Sequence, residues 1–166
     1  LTIISCNSKT KNMDNKIQLD AFKIIGISVK TTNENGQSMI DIGQLWSRFY
    51  ADSILSTIPD RINDDVYSIY TDYQSDYKGA YTAIIGCKVK SLDNIPNGLT
   101  GREIPKGNYL KYIVKGKMPD AIIDQWKKIW SQDKDINRKY TADFEVYGQK
   151  SQNPDKAEVY IYIATE

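Results

Sequence analysis

The sequence predicts an α+β fold: a tandem pseudo-two-fold repeat of strand-helix-strand-strand units, with a mainly antiparallel sheet, two helices on one side and a central cleft. Three observations carry this. Two segments show the i, i+3, i+4, i+7 apolar stripe of an amphipathic helix, one through Ile42, Leu45, Trp46 and Phe49, the other through Ile122, Ile123, Trp126, Ile129 and Trp130. Each is preceded by one strand-like run and followed by two. Gln44-Leu45-Trp46 is echoed by Asp124-Gln125-Trp126, and the second tryptophan falls 80 residues after the first, which is the mark of an internal repeat. Both helices packed on one side of the strands would bury both stripes and leave a cleft between the units.

In order along the chain, residues 7–15 are polar, and Ile17 to Thr31 reads as the first strand, centred on Phe22, Ile24, Ile25, Ile27 and Val29. Thr32 to Gly36 is a turn by composition, and Ser38 is placed to cap the first helix, which ends near Ala51. A loop through Pro59 leads to two strands, Val66 to Tyr73 and Tyr81 to Lys90, joined by a polar hairpin connection that ends at Gly79. Ser91 to Gly107, with two prolines and three glycines, reads as the long connection. A strand follows over Asn108 to Lys117, and Pro119 suits the first turn of the second helix. The last two strands are Arg138 to Tyr147 and Ala157 to Thr165.

Composition narrows the function classes. One domain is the natural expectation for 166 residues. Lys plus Arg total 22 against 21 Asp plus Glu, and this near-balance argues against a nucleic-acid surface, which needs a basic excess. The absence of histidine removes the commonest general base and transition-metal ligand. Cys6 and Cys87 form neither a metal spacing nor a disulfide framework, and Cys87 reads as a small buried hydrophobe. Asp60, Asp64 and Asp65 fit no calcium-loop pattern, and no glycine-rich phosphate loop is present, so no metal or cofactor is expected. Ile3-Ile4-Ser5-Cys6 resembles a lipobox, but only five residues precede the cysteine. Residues 1–15 are therefore read as a flexible extension of a cytoplasmic protein, with lipid anchoring through Cys6 as the alternative. No run approaches the ~18 apolar residues of a spanning helix.

The segment Arg138 to Tyr147, RKYTADFEVY, carries the chemistry. Alternation puts Tyr140, Ala142, Phe144 and Val146 on an apolar face, and Thr141, Asp143, Glu145 and Tyr147 on a polar one. Burying a carboxylate costs several kcal/mol by order of magnitude unless it is paired or protonated. Glu145 therefore requires water, a structural partner or a ligand. Twelve tyrosines make the composition unusual, and they suit a promiscuous pocket, since each supplies apolar area and one hydroxyl. Trp46 and Trp126 lie on the helix stripes, where plain core is the competing role. Tyr67 and Tyr73 share a strand face with Ile69, and Tyr70 shares one with Asp72; alternation alone leaves open which face is concave.

The early IGI, LWSRF on the first helix, IYTDY, YTAIIGCKV, IPKGNYLKYIVKG, the W-x-x-I-W of the second helix, and RKYTADFEVY followed by VYIYIA together resemble the GyrI-like domain. This is the effector-binding domain of AraC-type and multidrug-sensing regulators, and the resemblance runs from about Ile17 to Ala164. It implies one domain over 16–166, with repeats at about 16–92 and 105–166. It also implies a small hydrophobic or cationic aromatic ligand in the cleft. The family acid matches Glu145, and Tyr81 and Tyr109 fall at matching positions. The cleft is thus assigned Glu145, Tyr147, Tyr109, Tyr81, Tyr67 and Trp126. Relatives of other kinds imply two alternatives: a hydrolase of cyclopropane-type toxins using Glu145, or a protein-interaction module such as a gyrase inhibitor. Some 16 residues before the first strand are too few for a helix-turn-helix domain. Direct DNA binding is therefore not expected, and a transcriptional role would need a partner protein.

Overall fold

The computed structural model describes residues 15–166, so Cys6 and all but the last residue of the expected N-terminal extension lie outside the described residues. The chain runs β1 (Lys16–Leu19), β2 (Phe22–Thr32), α1 (Gln37–Ala51), α2 (Ile54–Thr57), β3 (Val66–Thr71), β4 (Ala80–Val89), β5 (Thr100–Ile104), β6 (Gly107–Gly116), α3 (Asp120–Ser131), β7 (Ala142–Tyr147) and β8 (Ala157–Thr165). The eight strands form one sheet in the order β1-β6-β8-β7-β3-β4-β2-β5. Every pairing in it is antiparallel.

That order displays the repeat. β2-α1-β3-β4 and β6-α3-β7-β8 are equivalent units, and their strands run outward from a central β3–β7 seam in mirrored order. Each unit also lends a leading strand to the other. β1 immediately precedes β2 but pairs with β6, whereas β5 immediately precedes β6 but pairs with β2. A two-residue link between β1 and β2, which stand near opposite ends of the strand order, requires the sheet to curl until its ends approach.

The exchange explains two departures from the sequence expectation. The strand expected over Ile17 to Thr31 is two strands, broken at Asp20 and Ala21, because its two parts pair with opposite halves of the sheet. The long connection holds β5, a short edge strand whose partner β2 lies some 75 residues earlier. Two further differences are local. α1 starts after Gly36, which takes a left-handed conformation at φ 71, and Ser38 makes no cap. β7 begins at Ala142 and not at Arg138, because Tyr140 also has a left-handed backbone, with φ 54.

Alternation along the strands divides the core. On one face, Ile25, Ile27, Ile85 and Cys87 pack under Leu45 and Phe49 of α1. On the same face of the second unit, Leu110, Val159, Ile161 and Ile163 pack under Ile122 and Ile129 of α3. Fully burying such side chains contributes about 1.5–3 kcal/mol each, which fixes both helices to one side. Burial pushes the Cys87 thiol up to about 12, in keeping with a small buried hydrophobe. Inside the curl, the opposite face is filled by Phe22, Ile24, Ile69, Ile84, Tyr109 and Phe144. Gly26 and Gly86 face each other across β2 and β4. A Cβ on either would stand 2.1 Å from a backbone carbonyl oxygen of the other strand.

Candidate functional site

The central seam, with a helix on either side, leaves a cleft of about 330 Å³ between α1 and α3. Its floor is Tyr70 from β3, Tyr81 from β4, and Glu145 and Tyr147 from β7; Ile42, Gly43 and Trp46 wall it from α1, and Ile123, Trp126, Lys127 and Trp130 from α3. Asn33, Tyr73, Tyr77 and Arg138 also contribute to the lining. Tyr73 lies outside β3, beyond Asp72, whose φ of 52 breaks the alternation and lets the ring reach the cleft.

Glu145 lies at the floor of this cleft and is 2% exposed. Oε1 accepts hydrogen bonds from Trp126 Nε1 at 2.6 Å and Tyr70 Oη at 3.0 Å, and Oε2 accepts one from Tyr147 Oη at 2.5 Å. Ser68 Oγ donates in turn to Tyr70 Oη at 3.0 Å. Among the described residues, no Lys or Arg nitrogen stands within ion-pair distance of the carboxylate. Burial raises its pKa above the ordinary value, outweighing the opposite pull of the three donors. Tyr70 and Tyr147 are held well above the ordinary phenol value, first by burial and then by the Glu145 charge, so both hydroxyls remain donors.

The neighbouring acid has another role. Asp143 is fully buried; its Oδ2 accepts from Arg138 Nη2 and Tyr73 Oη, both at 2.7 Å, and its Oδ1 accepts from the Ala164 backbone N–H at 2.9 Å. Arg138, whose side chain is 1% exposed, also pairs with Asp133 and lies over the Tyr140 ring at 4.2 Å. This buried cluster ties the segment before β7 to β8 and closes one end of the cleft.

Four of the residues assigned from sequence meet here: Glu145, Tyr147, Trp126 and Tyr81. Tyr67 and Tyr109 stand on the opposite face, inside the curl. Tyr67 is one position out of phase with Ser68 and Tyr70, and its ring lies 5.7 Å from Phe22. Tyr109 is 1% exposed, packs 5.4 Å from Phe144, and donates its hydroxyl to the Pro105 carbonyl at 3.1 Å. Trp130, Tyr77, Asn33, Lys127 and Arg138 were not assigned from sequence. Trp130 is one helical turn after Trp126 on the same stripe, so its place was available from the pattern; it stacks on Tyr77 with centroids 6.0 Å apart. The other positions depend on long-range pairing that carries no local signal.

The comparisons show the family and the fold. The integron-associated effector binding protein family, Cass2, matches residues 17–165. YobU of Bacillus subtilis (strain 168), whose name places it with the transcriptional regulators, is 27% identical over an alignment of 151 residues that covers 88% of this chain and 93% of YobU. Among solved structures, the Vibrio cholerae integron cassette protein VCH_CASS2 shares the fold at TM-score 0.70 and 28% identity, covering 92% of this chain and 95% of that one. SAV2435, solved bound to tetraphenylphosphonium, shares it at TM-score 0.76 and 16% identity, covering 91% and 92%. The family match takes in both repeats and every wall of the cleft, and the chain belongs to the integron-associated effector-binding family.

Proposed function

We propose that this protein binds a lipophilic organic cation with few or no hydrogen-bond donors, held in the cleft with Glu145 as counter-charge. One observation carries the reading: a buried carboxylate with no basic partner among the described residues, set into an aromatic cavity. A carboxylate has about four lone-pair positions, and Trp126, Tyr70 and Tyr147 occupy three. A primary ammonium, strongly hydrated, would lose its water and find little to bond to. A quaternary or delocalised cation needs no such bonds and is attracted by charge and by the surrounding rings, a cation–π contact being worth about 0.5–2 kcal/mol. The cavity volume sits near the lower end of the ~300–1,000 Å³ range of small-molecule sites, enough for one compact aromatic molecule. The family's effector-binding character and the ligand named for SAV2435 support this reading.

Calorimetric titration with tetraphenylphosphonium tests it. Wild type should bind, and Glu145→Gln, still folded by circular dichroism, should bind at least about tenfold more weakly, or ~1.4 kcal/mol. Equal affinities would show that the Glu145 charge is not the anchor.

A further inference from the structure

Among the described residues, three charged side chains line the cleft, and their placement is asymmetric. Glu145 is buried at the floor. Arg138 closes one end with its charge neutralised by Asp143 and Asp133, and its buried Nε–H has no partner among the described residues. Lys127 is exposed on α3, next to Trp126, and among the described residues forms no ion pair. Among the described lining residues it is therefore the one positive side chain without an ion pair, and it is exposed where the acid is buried. Asp41 on α1 is engaged by Thr31 and Gln37 and is not part of the lining. A ligand that reaches from Glu145 to the part of the cleft lined by Lys127 meets that charge at its outer end. A second positive charge there is repelled, and a carboxylate or other anionic group is attracted.

We propose that Lys127 is a specificity-determining residue that favours amphoteric aromatic ligands, with a cationic centre and a remote anionic group, over cations that lack the anionic group. This rests on the cation-binding reading above. The test uses two probes with the same five-carbon chain: carboxybutyl-triphenylphosphonium, a zwitterion at neutral pH, and pentyl-triphenylphosphonium, which lacks the carboxylate oxygens. Calorimetry gives the ratio of their dissociation constants for wild type, Lys127→Gln and Lys127→Glu. Relative to wild type, the preference for the zwitterion should fall about threefold in Lys127→Gln, the scale of one exposed charge pair, and further in Lys127→Glu. It should also shrink with added salt in wild type but not in Lys127→Gln. Lys127 is on an exposed helix surface, so both variants should fold. Ratios that stay constant across the three proteins while both probes bind would overturn the role of Lys127 alone. Failure of both probes to bind wild type would overturn the cation-binding reading and this inference together.

Discussion

At the scale of single residues, Glu145 is held in tension between burial and hydrogen bonding, and pH makes that tension measurable. Burial raises its pKa in the fold above the ordinary 4.5. The native state therefore holds this proton more tightly than the unfolded chain does. The resulting stability is fully present below about 4.5 and is lost as pH rises through the folded value. A bound cation acts in the opposite sense, because it favours the ionised carboxylate. Thermal unfolding followed from about pH 4 to pH 8 should show the ligand-free wild type losing stability with rising pH relative to Glu145→Gln. Over the same range, tetraphenylphosphonium affinity should fall as the solution is acidified. A wild-type profile parallel to that of Glu145→Gln would mean that the carboxyl does not titrate differently in the fold. The acid and its partner Tyr147 were legible in the sequence because alternation in a strand is strict. Asp143 shares that alternation and was equally visible, but its partner Arg138 was not. The left-handed Tyr140 lies between them and turns the chain back, and alternation cannot anticipate that.

At the scale of elements, the two long helices, α1 and α3, were legible because an apolar stripe is a local property, whereas the single turn of α2 fell in an expected loop and β1 and β5 were hidden, because pairing with the opposite half defines them. The α1 stripe is also interrupted by a glycine. Gly43 sits in the middle of α1, where glycine costs about 0.8–1.0 kcal/mol relative to alanine. A Cβ there would meet nothing within 4 Å, so packing does not demand glycine. The position lines the cleft, and the absence of a side chain keeps the wall low beside Trp46. Gly43→Ala should therefore stabilise the fold by up to about 1 kcal/mol in urea denaturation. Gly43→Phe should fold normally and bind tetraphenylphosphonium more weakly, because the ring would occupy the cleft. Undiminished affinity in Gly43→Phe would show that the ligand does not pass or rest beside α1. Gly26 differs in kind: its missing Cβ would overlap a carbonyl oxygen, so there the glycine is required by the close approach of two strands.

At the scale of the whole molecule, the site lies on the pseudo-two-fold axis and is assembled from equivalent positions. Ser68 of β3 lies directly opposite Glu145 of β7 at the seam, and from that pair Ser68-Ile69-Tyr70 and Glu145-Val146-Tyr147 run in opposite directions. The helix tryptophans cross the seam in matching fashion. Trp126 of the second unit meets Tyr70 of the first edge-on at 5.5 Å, and Trp46 of the first meets Tyr147 of the second edge-on at 5.0 Å. Two hydroxyls and two indoles thus surround a pair of facing positions, one of which carries an acid and the other a serine. If the two halves are equivalent in function as well as in path, the acid can change sides. In the double variant Ser68→Glu with Glu145→Ser, Tyr70 would take the place of Tyr147, and Trp46 that of Trp126 as indole donor. Glu145→Ser alone should lose at least about tenfold in tetraphenylphosphonium affinity, and adding Ser68→Glu should restore it to within about tenfold of wild type. The volumes exchanged are equal and opposite across the seam, so overpacking should not obscure the result. Recovery would show that the ligand answers to a charge on the axis and not to one strand. A folded double variant that stays as weak as Glu145→Ser would show that the repeats share a backbone path but that only the second unit can present the acid to a ligand.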